Sequence, residues 1–148
     1  MQKISISTVQ NKDINEIAEI EKACFSSPWS KSLLEDATKN ENSYFFKAIA
    51  NGKIVGYSGI YVVLNEGYVY NNAVLKEFRS QGFGAALTNK LLQIAENLHL
   101  EFLSLEVRVS NTAAIHLYEK HNFKKVGIRK AFYTNPTEDA LIMTHYFC

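Results

Sequence analysis

Three places in the sequence carry residue types that can do chemistry. The first is the run Arg79-Ser80-Gln81-Gly82-Phe83-Gly84-Ala85, between a strand-like segment and a helix-like one. A glycine-rich turn at a helix N-terminus exposes unpaired backbone N–H groups, and the helix dipole adds partial positive charge there. Glycines also let the backbone approach an anion closely, so such a turn is a cradle for a pyrophosphate. The alternative is that Gly82 and Gly84 only shape the start of a helix. A dinucleotide fingerprint would need Gly or Ala where Leu87 stands, and no Gly-Lys-Ser/Thr is present, so the two commonest phosphate loops do not fit. The second place is Glu106, a carboxylate in an otherwise apolar strand, placed either to reach the cleft of the glycine loop or to face solvent beside Arg108. The third is Tyr118, seven residues after Asn111. That spacing is two helical turns, roughly 10 Å of rise, so the two share a face. On the residues alone Tyr118 reads as a packed aromatic and Asn111 as a helix cap, sharing one face of the helix that follows Glu106.

The elements that must position these groups are legible from period and punctuation. Residues 3–9 suggest a strand. Asp13, with Glu16 three residues on, suggests a capped helix carrying Ile14, Ile17 and Ala18. Ser26-Ser27-Pro28-Trp29 breaks it, and Ser30 caps a second helix with Leu33, Leu34 and Ala37. Strands over 44–50 and 54–64 are joined by Asn51-Gly52, the strongest short hairpin signal. A turn at Asn65-Glu66-Gly67 leads to a strand over 68–74. The helix after the glycines presents Phe83, Ala86, Leu87, Leu91, Ile94, Ala95 and Leu98 on one face and ends near His99. In 102–109, Leu103, Leu105, Val107 and Val109 alternate with Ser104, Glu106 and Arg108. Asn111 opens a last helix, Asn122 closes it, and strands over 123–132 and 138–146 flank a turn at Asn135-Pro136. The predicted order is β-α-α-β-β-β-α-β-α-β-β, a mixed α/β fold with a mostly antiparallel sheet and one parallel, right-handed strand–helix–strand unit. Such a unit gathers ligands beyond the carboxyl ends of its strands, which places Glu106 near the glycine loop.

The 148 residues match one domain over 1–148, long enough to bury a core without disulfides or metal. A net charge of +1 gives no electrostatic case for nucleic acid or a membrane surface. Cys24 and Cys148 form no metal-ligand spacing and read as reduced thiols. His99, His116, His121 and His145 show no ligand spacing and read as surface or loop residues, so no metal site is expected. Without an apolar leader at Met1–Ser5 or an apolar run near ~20 residues, the expectation is a cytoplasmic protein with no membrane segment.

Arg79-x-x-Gly82-x-Gly84 after a strand ending Asn72-Ala73-Val74 resembles the coenzyme A loop of the GNAT acetyltransferase superfamily, and the element order resembles the GNAT fold throughout. The resemblance implies acetyl-CoA as cosubstrate. The backbone of Ser80, Gln81, Gly82, Phe83, Gly84 and Ala85, with Arg79, would hold its pyrophosphate, and Asn72, Ala73 and Val74 would pair with the pantetheine arm. The run Leu105-Glu106-Val107-Arg108-Val109-Ser110-Asn111 continuing to Leu117-Tyr118-Glu119 is similar to the RimI-like N-terminal acetyltransferases. That likeness implies Glu106 as general base, Tyr118 as general acid and Asn111 as a coenzyme A contact. Asn122 stands where the family usually has Gly, and Phe132 where a tyrosine is more usual.

Phe25–Ser30 resembles the family's substrate-side loop, so Trp29 is either a substrate contact or a buried anchor. The tail from Arg129 resembles its last hairpin, with Tyr133 placed to line a peptide groove. The implied reaction is direct acetyl transfer to a protein N-terminus, the N-terminal alanine of a small-subunit ribosomal protein in this family, by a monomer. A small-molecule amine such as a polyamine or an antibiotic is the alternative acceptor, and a coenzyme-binding module without catalysis is the alternative class.

Overall fold

A computed structural model of the chain describes residues 3–147. The elements come in the expected order: β1 (Ser5–Thr8), α1 (Ile14–Cys24), α2 (Lys31–Lys39), β2 (Ser43–Ala50), β3 (Lys53–Val63), β4 (Glu66–Val74), α3 (Phe83–Asn97), β5 (Phe102–Arg108), α4 (Thr112–Lys120), β6 (Lys124–Tyr133) and β7 (Glu138–Tyr146). Single 3-10 turns at Asn11–Asp13 and Lys76–Phe78 lead toward α1 and α3. The strands form one seven-stranded sheet in the order β1-β2-β3-β4-β5-β7-β6. Every neighbouring pair is antiparallel except β4 and β5.

Local chemistry sets most boundaries. Asn51 and Gly52 both take positive φ, 50° and 79°, as a tight hairpin turn between β2 and β3 requires. Ser30 Oγ accepts from the Leu33 N–H at 3.1 Å, and Asn111 Oδ1 from the Ala114 N–H at 3.2 Å, capping α2 and α4. His99 and Asn122, with φ of 58° and 64°, turn the chain out of α3 and α4.

Strand side chains alternate between the two faces of the sheet and divide the core. Phe46, Val55 and Leu103 pack with Phe83, Leu87 and Leu91 of α3, and with Tyr118 and Phe123. Phe45, Ile54 and Tyr57 pack with Ile14, Ile17 and Ile20 of α1 and with Leu34 of α2.

Two irregularities open the sheet. β4 and β5 pair only over Glu66–Tyr68 and Phe102–Ser104. Just beyond, the β3–β4 register jumps from Ile60↔Val69 to Gly59↔Asn71, leaving Tyr70 as the extra residue of a bulge. Gly59 admits this because the Phe45 ring lies where a Cβ would stand. That ring stacks on Tyr70 at 5.1 Å, and Trp29 meets Tyr70 edge-on at 5.3 Å. The bulge turns β4 away, and the two parallel strands part.

Several expectations need correction. The β3–β4 turn falls at Leu64-Asn65, with Leu64 at φ 56°, and Gly67 lies inside β4, where a Cβ would crowd Leu100. β1 is shorter than 3–9. Val109 and Leu98 are exposed, because each lies at or just past the end of its element. His121 and His145 are half-buried, and each ring nitrogen meets a backbone carbonyl, that of Leu117 or of His121. Cys24 is a free thiol; Cys148 lies outside the described residues. Asp13 precedes α1 but does not cap it. Its carboxylate accepts from the Gln10 N–H at 2.7 Å and from Lys47 Nζ at 2.6 Å, tying the start of α1 to β2.

Both partners of that ion pair are almost fully buried. Burial raises the Asp13 pKa, but the hydrogen bonds from Lys47 and Gln10 and the lysine charge outweigh it, so the net shift is downward from 3.8. A depressed carboxylate stabilises the fold above its unfolded pKa, and that contribution is lost as pH falls through the folded value. Lys47→Met leaves the carboxylate buried and unpaired, with an expected loss of about 3–5 kcal/mol in urea unfolding. Asp13→Asn combined with Lys47→Met should recover much of that loss and flatten the acid limb of stability between about pH 5 and pH 2.

Candidate active site

The parted strands form the two sides of a groove of about 470 Å³. Val69, Tyr70, Asn71 and Asn72 line one side and Leu105, Glu106, Val107 and Arg108 the other. Cys24–Ser27 and Trp29 border it from the α1–α2 connection, Phe132–Thr134 from the β6–β7 hairpin, and Asn111, Ala114 and Tyr118 from the start of α4.

The backbone of β4 divides its duties along this wall. Leu75 N–H donates to Val55 O at 2.8 Å, so residues 73 and 75 turn their backbone groups to β3. Asn72 and Val74, by alternation, turn theirs toward the groove. Ala73 is therefore committed to the sheet, against the expectation that all three would face a ligand. The Val74 carbonyl already accepts from Arg79 Nε at 2.9 Å and from Cys24 Sγ at 3.5 Å. Arg79 thus braces the strand end and also meets the Cys24 sulfur at 3.7 Å. Burial raises the Cys24 pKa, with Arg79 opposing it.

The glycine loop follows. Ser80 and Gly82 adopt φ of 61° and 93°, and the left-handed Gly82 is the N-cap of α3. With no side chain there, the helix has no side-chain cap. Its first backbone bond runs from Ala86 N to Gly82 O, so the N–H groups of Phe83, Gly84 and Ala85 have no intrahelical partner. These three donors at a positive helix end fit an anion such as a pyrophosphate. Gly84 also meets the next helix: a Cβ there would stand 3.4 Å from Leu117 of α4. The Phe83 ring is buried against Phe78 and offers the loop only its backbone. Ser80 is exposed, and Gln81 donates back to Glu77 O at 3.1 Å.

Glu106 and Tyr118 enter the groove from different elements. Glu106 is half-buried on β5. It pairs not with Arg108 but with Arg129 Nε of β6, at 3.3 Å. Tyr118, on α4, is 7% exposed and packs on Phe123 at 5.5 Å between ring centres. Burial pushes its phenol up to about 12, with the neighbouring Asn72 amide pulling the other way. Asn72 Nδ2 donates to Thr88 at 3.0 Å, while its Oδ1 is buried without a partner. Asn111 spends its Oδ1 on capping α4.

Trp29 is both anchor and wall. Its backbone N–H is held by Glu21, its ring by Tyr70, and it borders the groove. Tyr133 is half-buried, and burial followed by the nearby Glu106 charge raises its phenol to about 12.

Two parts of the site were not anticipated. Arg108 lies over the Tyr133 ring at 4.5 Å. Its guanidinium donates to Thr134 O at 2.9 Å, Pro136 O at 3.0 Å and Glu138 at 3.1 Å, and reaches Ser26 Oγ at 3.5 Å. It fastens the hairpin and touches the α1–α2 connection. Only the alternation of 102–109, which puts Arg108 on the same face as Glu106, pointed to it. The other part is Glu21, a carboxylate seven residues after Ile14 on the buried stripe of α1. That position was the available signal.

A sheet split beside an uncapped, glycine-opened helix, with an acidic and a phenolic side chain at the split, is the layout of a coenzyme A-dependent acyltransferase. Residues 14–123 match the acetyltransferase (GNAT) family, and the chain belongs to that family. It is 36% identical over 141 residues to the ribosomal protein bS18-alanine N-acetyltransferase of Escherichia coli K12, covering 94% of this chain and 95% of that one. The enzyme of the same description from Haemophilus influenzae is 35% identical over 144 residues, covering 95% and 97%. The crystal structure of the Escherichia coli ribosomal-protein-S18-alanine N-acetyltransferase superposes with a TM-score of 0.88 at 35% identity, over 96% of this chain and 92% of that one. The chain is a RimI-like N-acetyltransferase.

Arg108 predicts a measurable local effect. Arg108→Ala should speed amide hydrogen exchange in residues 131–138 and 25–29, while the exchange of α3 is unchanged. Unaltered exchange in both segments would show that the hairpin is held by its own turn alone.

Proposed function

We propose that this chain, acting as one domain over 1–148, transfers acetyl from acetyl-CoA to the N-terminal α-amine of a protein. The acceptor that its relatives' names point to is the N-terminal alanine of ribosomal protein bS18. The observation that carries the reading is the groove itself: Glu106 and Tyr118 border one opening between parted strands, and the uncapped end of α3 supplies anion-binding donors.

In this reading the free N–H groups of Phe83, Gly84 and Ala85 hold the pyrophosphate. The groove-facing backbone of Asn72 and Val74 meets the pantetheine arm. Arg79 keeps that strand end in place, Ser80 and Gly82 give the loop its left-handed turns, and Gln81 ties it back to Glu77. Asn111 caps α4 and borders the path to Tyr118.

The amine nitrogen attacks the thioester carbonyl carbon, and the C–S bond breaks. Glu106 takes the proton that the nitrogen sheds, directly or through water, and Tyr118 gives its proton to the departing sulfur. A phenol raised by burial stays protonated at neutral pH and is ready to donate. Trp29 and Tyr133, on opposite banks, line the peptide's approach. The reading is of a monomer at work in the cytoplasm, where the proposed substrate is made.

An α-amine has a pKa near 7.7–8.0 and a lysine near 10.4, so at pH 7.5 roughly a third of the first is neutral and only about 0.1% of the second. A peptide beginning with alanine and containing an internal lysine should therefore be acetylated at its N-terminus. Mass spectrometry under initial-rate conditions checks this, and most of the acetyl on lysine, or turnover of small amines alone, would overturn the reading.

The pH profile tests the chemistry. The rate should climb as the amine deprotonates near pH 8. The acid form of Tyr118 is the working one and lies below its pKa of about 12, so Tyr118 adds no falling limb through pH 10. Glu106→Gln and Tyr118→Phe should each lower kcat by about 10²–10⁴-fold with acetyl-CoA binding retained. Activity of the glutamine variant should recover as pH rises, and that of the phenylalanine variant should not. Near-normal kcat in both, with chemistry rate-limiting, would leave positioning as the sole source of rate.

A further inference from the structure

One buried carboxylate beside the groove has no part in the chemistry just described. Glu21 is 1% exposed, on the face of α1 that packs against the sheet. Its Oε1 accepts from the Tyr57 hydroxyl and from Asn71 Nδ2, the latter at 2.6 Å. Its Oε2 accepts from the Trp29 backbone N–H at 2.9 Å. Among the described residues none of the ion pairs involves Glu21. Three neutral donors from β3, from β4 and from the α1–α2 connection hold it instead, as a buried carboxylate requires.

The consequence lies in Asn71. A side-chain amide has one accepting end and one donating end, and by itself either can face a ligand. Here the Nδ2 end is taken up by Glu21 and, at 3.3 Å, by the Tyr57 hydroxyl. Asn71 is half-buried and lines the groove beside the bulged Tyr70. With its nitrogen taken up by the buried carboxylate, the planar amide is left with Oδ1 as its free, accepting end. Among the described residues no group donates to that oxygen, whereas an arriving amine or peptide brings N–H donors.

Building on the functional reading above, we propose that Glu21 is a positioning residue that selects the acceptor. It fixes the Asn71 amide so that Oδ1 faces the groove and accepts a hydrogen bond from an N–H of the incoming N-terminal residue. The same carboxylate holds the Trp29 backbone, so one buried charge sets both the acceptor's hydrogen-bond partner and its apolar wall. Glu21→Gln keeps an amide oxygen for the Trp29 N–H and offers an N–H where the other oxygen accepted from Asn71, which favours the reversed Asn71 and presents a donor to the acceptor's donors.

The test is a kinetic double-mutant cycle with an alanine-initiated peptide. Glu21→Gln and Asn71→Ala should each raise the peptide KM about tenfold, the usual worth of one hydrogen bond. The KM for acetyl-CoA and the kcat should stay within about twofold, and the double variant should be no worse than Asn71→Ala alone. Independent, multiplying effects, or a fall in kcat and acetyl-CoA affinity in step with the peptide, would overturn the proposal. Asn71→Ala decides the matter even where Glu21→Gln fails to fold. Wild-type enzyme should bind the amine peptide about tenfold better than its des-amino analogue, a preference this variant should lose. Retention of that preference overturns the proposal. A wild-type enzyme inert toward every peptide overturns the functional reading and this inference with it, whereas an active one with independent effects overturns this inference alone.

Discussion

The parting of β4 and β5 after three paired residues is the constraint on which the rest of the site depends. A parallel pair that stayed bonded would satisfy its own backbone and leave no room between the strands. Here the bulge at Tyr70 bends β4 away just beyond Tyr68↔Ser104, and the backbone of Asn72 and Val74 is left facing a gap. The Val74 carbonyl is met by Arg79 and Cys24, and the remaining backbone groups on this side of the strand suit an extended, hydrogen-bonding guest. The aromatic stack of Phe45, Tyr70 and Trp29 fills the outer side of the bulge and keeps it from closing. Gly59 makes room for the stack, so a single absent side chain on β3 supports the opening of the strand beyond it.

The carboxylates around the groove are each restrained differently, and the differences sort their uses. Glu138 is bound to Arg108 and to the Ser110 N–H at 2.7 Å, a fixed structural tie across the hairpin. Its pKa is lowered, first by the hydrogen bonding at Ser110 and then by Arg108, against some burial. Glu21 is buried and held only by neutral donors, which suits a group that orients others without exchanging protons. Glu106 is half-exposed and has a single, replaceable partner. Of the three it alone combines access to the groove with freedom to change partners, as a proton acceptor must.

Much of this was legible in the sequence, because the relevant signals are local. Asn51-Gly52, Ser30 and Asn111 declare a turn and two caps by short-range chemistry. The alternation of Leu103, Leu105 and Val107 against Glu106 and Arg108 fixes the faces of β5. What was not legible depends on partners far apart in the chain. Asp13 has the look of a cap, but Lys47, 34 residues on, captures it. Glu106 has Arg108 as its obvious sequence neighbour, yet β6 brings Arg129 while Arg108 turns to the hairpin. Gly84 reads as part of the loop alone, yet a Cβ there would also touch Leu117 of α4. Cross-sheet pairing and helix contacts decide each case, and no window of ten residues contains them.

The Arg129–Glu106 contact bears directly on how a base can work in this groove. Arg129 is 57% exposed at its side chain, on the edge strand of the sheet, and its ring neighbour Phe132 lies 5.7 Å away. An ion pair so open to water is worth about 0–1 kcal/mol. The pairing therefore costs little to break when a cationic amine arrives, yet it holds the Glu106 side chain in place at the groove beforehand. A deeper, stronger partner would hold the carboxylate as Arg108 holds Glu138, and the proposed proton transfer would have to overcome it. Placing the cation on an exposed edge strand, while Glu106 sits on a central one, lets the groove keep the proposed base available without trapping it.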